Sequence, residues 1–341
     1  MIPAISMTNI MQTGRKLTPG LIASIIVAAA ASFLSEHYHA PVMLFALLLG
    51  MSMNFLTLDG ATCKPGIEFT GREILRIGVA LLGMRITLAQ IAALGWHPVL
   101  IVIVAVIITI IVSMLVARLL GFQTVFGLLT GGATAICGAS AALALATALP
   151  SHSGKERATL FTVIGVSALS TLAMIIYPMI VHTLNLDPTQ AGIFLGGTIH
   201  DVAQVVGAGY SMSRETGDTA TVVKLIRIAM LLPVIMCAAM VTRSRGGETG
   251  GQRPPLMPWF AVAFLILAAI NSTGFITATV QKSIADLSQW CLVSAISAIG
   301  MKTQLKELAS VGIKPIALMI GETVFMAALV LMMIHWGVPA K

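Results

Sequence analysis

Charge is scarce in this 341-residue sequence: Asp, Glu, Lys and Arg together make up 10% of it, and aromatic residues only 6%. A soluble domain needs a charged surface that this chain does not have. With 57% hydrophobic residues and a mean hydropathy of +0.96, the sequence is that of an integral membrane protein. Cysteine is equally sparse. The four present (Cys63, Cys137, Cys237 and Cys291) lack metal-ligand spacing, and three of them lie in apolar runs, so neither a disulfide nor a metal site is expected. No ATP-binding motif occurs, which excludes a self-contained primary pump. The net charge of +7 collects mostly in short loops, where it reports topology and not a nucleic-acid partner.

What the chain has in abundance is long apolar runs, each near the roughly 20 residues that span a bilayer as a helix. They cover approximately residues 17–34, 41–56, 74–92, 99–120, 125–149, 158–181, 191–210, 220–241, 258–270, 284–299 and 315–336. The expected fold is an all-α polytopic membrane protein of nine to eleven transmembrane segments, forming one domain over residues 1–341. The first run reads as a retained helix, since no clear signal-peptide cleavage site follows it. Residues 243–255, "RSRGGETGGQRPP", are Gly-rich and basic and predict a flexible cytoplasmic linker. "SEHYHA" and "NLDPTQ" contain no Lys or Arg and read as periplasmic, which puts the amino terminus inside.

Sliding the chain 217 places against itself aligns "LGMRITLAQIAALGWHP" (82–98) with "IGMKTQLKELASVGIKP" (299–315), pairing Gly83 with Gly300 and Pro98 with Pro315. A weaker likeness joins "GLLTGGATAICGA" (127–139) to "GIFLGGTIHDVAQ" (192–204). Inverted repeats of this kind build secondary transporters, with related segments here at about 74–181 and 191–336. The fifth and seventh segments admit two readings, as full spans or as re-entrant segments entering from opposite faces. Only the second inverts every pair and places Lys155 and Arg157 inside.

The pairs Gly131-Gly132 and Gly196-Gly197 are the expected helix breaks, two broken helices meeting at the midplane. Close helix packing is the plainer reading of such pairs. A broken helix offers free N–H groups and a partial positive charge to an anion. The candidate substrate-binding residues around the breaks are Thr134, Cys137, Gly138 and Ser140, and Thr198, His200 and Gln204. Asp201 and His200 are candidate ion-coupling residues, because an ionisable group in mid-membrane costs at least about 2.5 kcal/mol to bury. Lys224 and Arg227 either attract the anion or snorkel to the interface, and snorkelling is preferred for Arg227. Arg85 and Lys302 read as topological anchors, and Glu322 in "MIGETVF" as a second buried acid satisfied locally.

At "GGATAICGASAALALATALP" and "FLGGTIHDVAQVVGAG" the chain resembles the sulfate-exporter family of bacterial inner-membrane proteins, the YeiH-like proteins. The likeness takes in "VKLIRIAMLLP" and "PWFAVAFLILAAINS" and covers nearly the whole chain. More distantly it is similar to the bile-acid sodium symporter and cation–proton antiporter fold, in which two broken helices of a core domain cross at the substrate site. The resemblance implies sulfate as cargo and a site at 134–140 and 198–204. The expectation is a secondary transporter of the bacterial inner membrane that exports a small anion such as sulfate, sulfite or an organosulfonate. Beyond H⁺ or Na⁺ as coupling ion it needs no cofactor; its partners are the anion and the lipid, and a homodimer stays open. An anion channel and an intramembrane enzyme using His200, Asp201 and Cys137 are the other classes.

The charge asymmetry makes a prediction. In a background without native cysteines, Ser35→Cys is labelled by an impermeant thiol reagent from outside and Gly247→Cys only after permeabilisation; the reverse pattern overturns the topology.

Overall fold

The computed structural model describes residues 7–38, 41–58, 60–149, 154–244, 259–303 and 312–337. The Gly-rich part of the expected linker, 245–255, lies outside them. The described chain is 87% helical without a strand. Its helices are α1 (Met7–Tyr38), α2 (Val42–Ser52), α3 (Lys64–Phe69), α4 (Leu75–Leu81), α5 (Leu88–Ala93), α6 (His97–Leu119), α7 (Thr124–Ala135) and α8 (Ala139–Ala148). They continue as α9 (Lys155–Thr183), α10 (Pro188–Thr198), α11 (Val202–Met212), α12 (Arg214–Ala229), α13 (Leu231–Ser244), α14 (Trp259–Ser272), α15 (Ala278–Lys302) and α16 (Ile313–Gly337). Among the described residues, six helical stretches are long and apolar enough to cross a membrane. The surface confirms the solvent. On α6, Ile107, Ile111 and Leu115 recur every fourth residue and are about half exposed, while Thr109 and Ser113 on the opposite side are buried. A helix with its polar groups inside and its branched aliphatics outside is made for lipid.

The chain divides into two compact units, 1–87 with 262–304, and 88–261 with 305–341. Each therefore draws on both repeat-related halves. In the first unit helices cross at backbone distance. A Cβ on Gly83 would lie 2.2 Å from the Phe264 carbonyl oxygen, and one on Gly300 would lie 2.4 Å from that of Leu47. Gly83 and Gly300 are 217 residues apart, and so are Leu47 and Phe264. The hydrogen bonds follow suit: Asn54 Nδ2 donates to Thr303 O at 3.4 Å and Asn271 Nδ2 to Ile86 O at 3.2 Å, again exchanged by the same shift. Contacts that swap partners under one displacement are what a two-fold axis produces, so the repeat is structural.

In the second unit the fifth and seventh apolar segments are helical hairpins. Leu145 follows Gly132 by thirteen residues, yet its Cδ1 would be 2.4 Å from a Cβ on that glycine, so α8 folds back along α7. Gly192 and Gly196 of α10 pack on Thr219 and Ala220 of α12 in the same order along both helices. Gly209 of α11 packs on Gly217, nearer the start of α12, so α11 returns antiparallel to α10.

α16 shows how the hairpins meet. Its Glu322 touches Thr130 and Thr134 of α7, Thr323 touches His200 between α10 and α11, and Val330 lies on Gly197 of α10. Passing along α16 leads from the body of the first hairpin, over both tips, onto the body of the second. The hairpins come from opposite ends of this unit and meet tip to tip. Because α7 runs with α16 but against α6 (Gly127 on Ala117, Gly131 on Ile110), α6 and α16, another pair 217 apart, are antiparallel as an inverted repeat requires.

The breaks are not where the glycine pairs are. All four of Gly131, Gly132, Gly196 and Gly197 are helical and buried, and the chain opens at Ile136–Gly138 and Ile199–Asp201 instead. The pairs admit neighbours: a Cβ on Gly131 would be 2.4 Å from the Ser113 side chain, and one on Gly196 2.4 Å from the Ala220 carbonyl. Two hairpins put the α8–α9 connection with Lys155 inside and the α9–α10 connection outside, whereas two spans would exchange the two faces. Glu156→Cys is expected to label only after permeabilisation and Thr189→Cys from outside, and the opposite result would mean that both segments span.

Candidate functional site

Each hairpin ends its first helix inside the protein, where carbonyl groups have no following turn to accept from and no water. The two cations of α12 fill that need. Lys224 Nζ donates to Ile136 O at 2.8 Å, to Ile199 O at 2.9 Å and to His200 O. Arg227 donates from Nε to Ala135 O at 2.9 Å, from Nη1 to Gly196 O at 3.1 Å and Ile199 O at 2.8 Å, and from Nη2 to Thr134 O at 2.9 Å. The remaining guanidinium proton faces Met326 Sδ at 3.8 Å. Both side chains are 0% exposed, which corrects the snorkelling preferred for Arg227: the carbonyls at the tips hold it more firmly than an interface would. Neither makes an ion pair among the described residues.

The second helices begin differently. Gly138 turns the chain with φ +64°, a conformation that favours glycine, and supplies no side-chain cap to α8. The N–H groups of Ala139, Ser140 and Ala141 meet no acceptor among the described residues, and Ser140 is exposed. Its hydroxyl turns back to the buried Cys137, 3.0 Å from O and 2.9 Å from Sγ. α11 instead carries its own carboxylate: Asp201 Oδ1 accepts the Val202 N–H at 2.8 Å. Of the two positive helix ends, that of α8 is open to an anion and that of α11 already holds one.

His200 is fully buried between the tips. Its Nδ1 lies 3.1 Å from Thr134 O, an acceptor, so Nδ1 carries a proton, and Nε2 meets Thr323 Oγ1 at 2.9 Å. Thr198 spends its hydroxyl on Phe194 O at 2.6 Å. Gln204 is set apart by a contrast within the chain. Asp187 and Gln190 close a capping box at the start of α10. Asp201 and Gln204 have the same spacing, but Ser170 Oγ accepts the Asp201 N–H at 3.0 Å, and Gln204 turns away. Its Nε2 reaches Thr171 Oγ1 at 3.5 Å, while Oε1, in a side chain only 2% exposed, has no partner among the described residues.

Thus the tips bring Thr134, Cys137, Gly138, Ser140, His200, Asp201, Lys224 and Arg227 together. The larger surprise is Glu322. It accepts from Ser113 Oγ, from Thr130 Oγ1 at 2.6 Å and from Thr134 Oγ1 at 3.0 Å, a buried carboxyl held by three hydroxyls from two helices. Sequence reading noted the acid but not the cage, whose hydroxyls come from two other segments far from it in the chain.

A family described as "Conserved hypothetical protein 698" matches residues 19–319. The UPF0324 membrane protein CT0845 of Chlorobaculum tepidum is 54% identical over 93% of this chain and 89% of its own length. The chain belongs to the UPF0324 membrane protein family. The UPF0324 membrane protein TauZ of Paracoccus denitrificans is 51% identical over 93% of this chain and 94% of its own. The UPF0324 membrane protein RB0971 of Rhizobium meliloti is 49% identical over 92% and 91%. No solved structure matches. This UPF0324 protein is a multi-pass membrane protein, as its relatives' names and its own apolar helices agree.

Removing either cation leaves buried carbonyls unpaired. Arg227→Met and Lys224→Met are each expected to lower stability by about 3 kcal/mol or more, read as a large drop in unfolding temperature in detergent; wild-type melting would refute the capping role.

Proposed function

We propose that this UPF0324 protein is a secondary transporter of the bacterial inner membrane that moves a small oxyanion, sulfate, sulfite or an organosulfonate, outward and coupled to H⁺ or Na⁺. The observation that carries the reading is the meeting of two re-entrant tips around two buried cations that, among the described residues, have no acidic partner within ion-pair distance. Their donors are taken by carbonyls and, for one Arg227 proton, by the Met326 sulfur, so they supply field and not direct hydrogen bonds. Binding falls to the open start of α8, where the Ala139, Ser140 and Ala141 N–H groups converge on one oxyanion and the Ser140 hydroxyl joins them by turning its proton away from Cys137. The second Nε2 proton of Gln204, beyond the one that reaches Thr171 Oγ1 at 3.5 Å, supplies a further polar contact. A broken helix facing a polar centre is the way transporters bind substrate without a lined pore, which favours a carrier over a channel. The inside-negative potential pulls an anion outward.

Flux of radiolabelled sulfate and sulfite into proteoliposomes tests the reading: saturation and dependence on an imposed ion gradient are expected, and linear, gradient-indifferent flux would indicate a channel. Ser140→Asp sharpens it. An acidic residue in a helix's first turn is structurally favourable, worth about 0.3–1 kcal/mol, so the variant keeps its unfolding temperature. Its carboxylate occupies the anion's place, and transport is expected to fall by about tenfold or more. Normal flux in this variant would remove α8 from the site.

A further inference from the structure

We propose that Glu322 is the proton-binding residue of transport, taking up one proton when the anion binds at the hairpin tips and returning it when the anion leaves. The proposal rests on the transport reading and names its coupling ion. Glu322 is 5% exposed, deep in α16, and no cation lies within ion-pair distance among the described residues. A structural carboxylate in an apolar interior is ordinarily paired with a cation; among the described residues this one is met by hydroxyls.

The cage suits both protonation states without moving a heavy atom. When the carboxyl is ionised, Ser113, Thr130 and Thr134 all donate to it. When it gains a proton, its new O–H donates to a cage hydroxyl. Ser113 then turns its own proton to Gly127 O at 2.6 Å, and Thr130 has Phe126 O at 3.2 Å. Only hydroxyl hydrogens rotate. A group meant to stay in one state needs no such alternative acceptors.

The carboxyl is tied to the tips through Thr134, whose hydroxyl donates to Glu322 while its carbonyl accepts from His200 and Arg227. The next residue, Thr323, holds the other face of His200. Of the elements packed on α16, α6 and α7 present hydroxyls to Glu322, and α9 approaches at Met319 through Gly165. The ionisable groups on that side are His200, then Arg227, which meets α16 at Met326, and Lys224 beside it. The other titratable candidates are engaged: Asp201 caps α11, and both nitrogens of His200 are held. An anion entering beside an ionised Glu322 adds like charge to a region of low dielectric, so anion and proton bind better together than apart. By linkage the anion must then draw a proton in, forming the carboxyl O–H bond.

Purified full-length protein, with sulfate and then sulfite as probe, tests this. In weak buffer, the wild type is expected to take up about one proton per anion bound, with an infrared band of a protonated carboxyl appearing. Glu322→Gln loses both signals, and an imposed pH gradient, which speeds wild-type uptake into proteoliposomes by about tenfold, no longer does so although anion exchange continues. Unchanged proton uptake in Glu322→Gln overturns the assignment. Should that variant fail to fold, Ser113→Ala serves: the ionised form loses a donor, so the band's midpoint moves to higher pH by about one unit. An unmoved midpoint overturns the assignment equally. A wild type that neither binds nor moves either anion rejects the transport reading itself.

Discussion

Two half-helices that end inside a membrane protein expose carbonyl groups that water cannot reach, and the rest of the second unit is arranged around how those groups are met. The carbonyls of Thr134, Ala135 and Ile136 from one hairpin, and of Gly196, Ile199 and His200 from the other, all converge on Lys224 and Arg227. An unpaired carbonyl in such a place costs several kcal/mol. A side chain that donates to both tips therefore fixes their separation as well as satisfying them. The crossing is rigid for the same reason that it is possible.

Much of this was legible in the sequence. Long apolar runs gave the helices, and the 217-residue shift gave a symmetry that the paired contacts of Gly83 and Gly300 repeat. The tips at 136–138 and 199–201 lie a few residues beyond the breaks expected at Gly131-Gly132 and Gly196-Gly197, and for the second the neighbouring His200 and Asp201 marked the place, since ionisable groups are costly in an unbroken apolar helix. The glycine pairs misled: glycine lowers the barrier to a break and to close packing alike, and only neighbouring helices decide which. The burial of Arg227 was hidden for a similar reason. Its partners are backbone carbonyls, which leave no mark on residue type.

The symmetry is one of backbone and not of chemistry. Ala105 stands 217 residues before Glu322, and Val330 stands 217 after Ser113. The acid and one of its hydroxyls have apolar counterparts, so the two related helices α6 and α16 share their packing but divide the polar work. At the helix starts the division recurs, with α8 open and α11 closed by Asp201. A pair of hairpins with identical ends would offer two equivalent places to one ion; unequal ends give the site a direction.

The bonds that hold the tips also set an order of assembly. Arg227 lies 93 residues beyond Thr134 and Lys224 lies 88 beyond Ile136. During synthesis the first hairpin therefore enters the bilayer well before the donors for its carbonyls have been made. Until α12 arrives, that tip must stay near water or lean on the insertion machinery. The second hairpin and its cations emerge almost together and complete both tips at once, so the first tip is closed only after four further helices have been made.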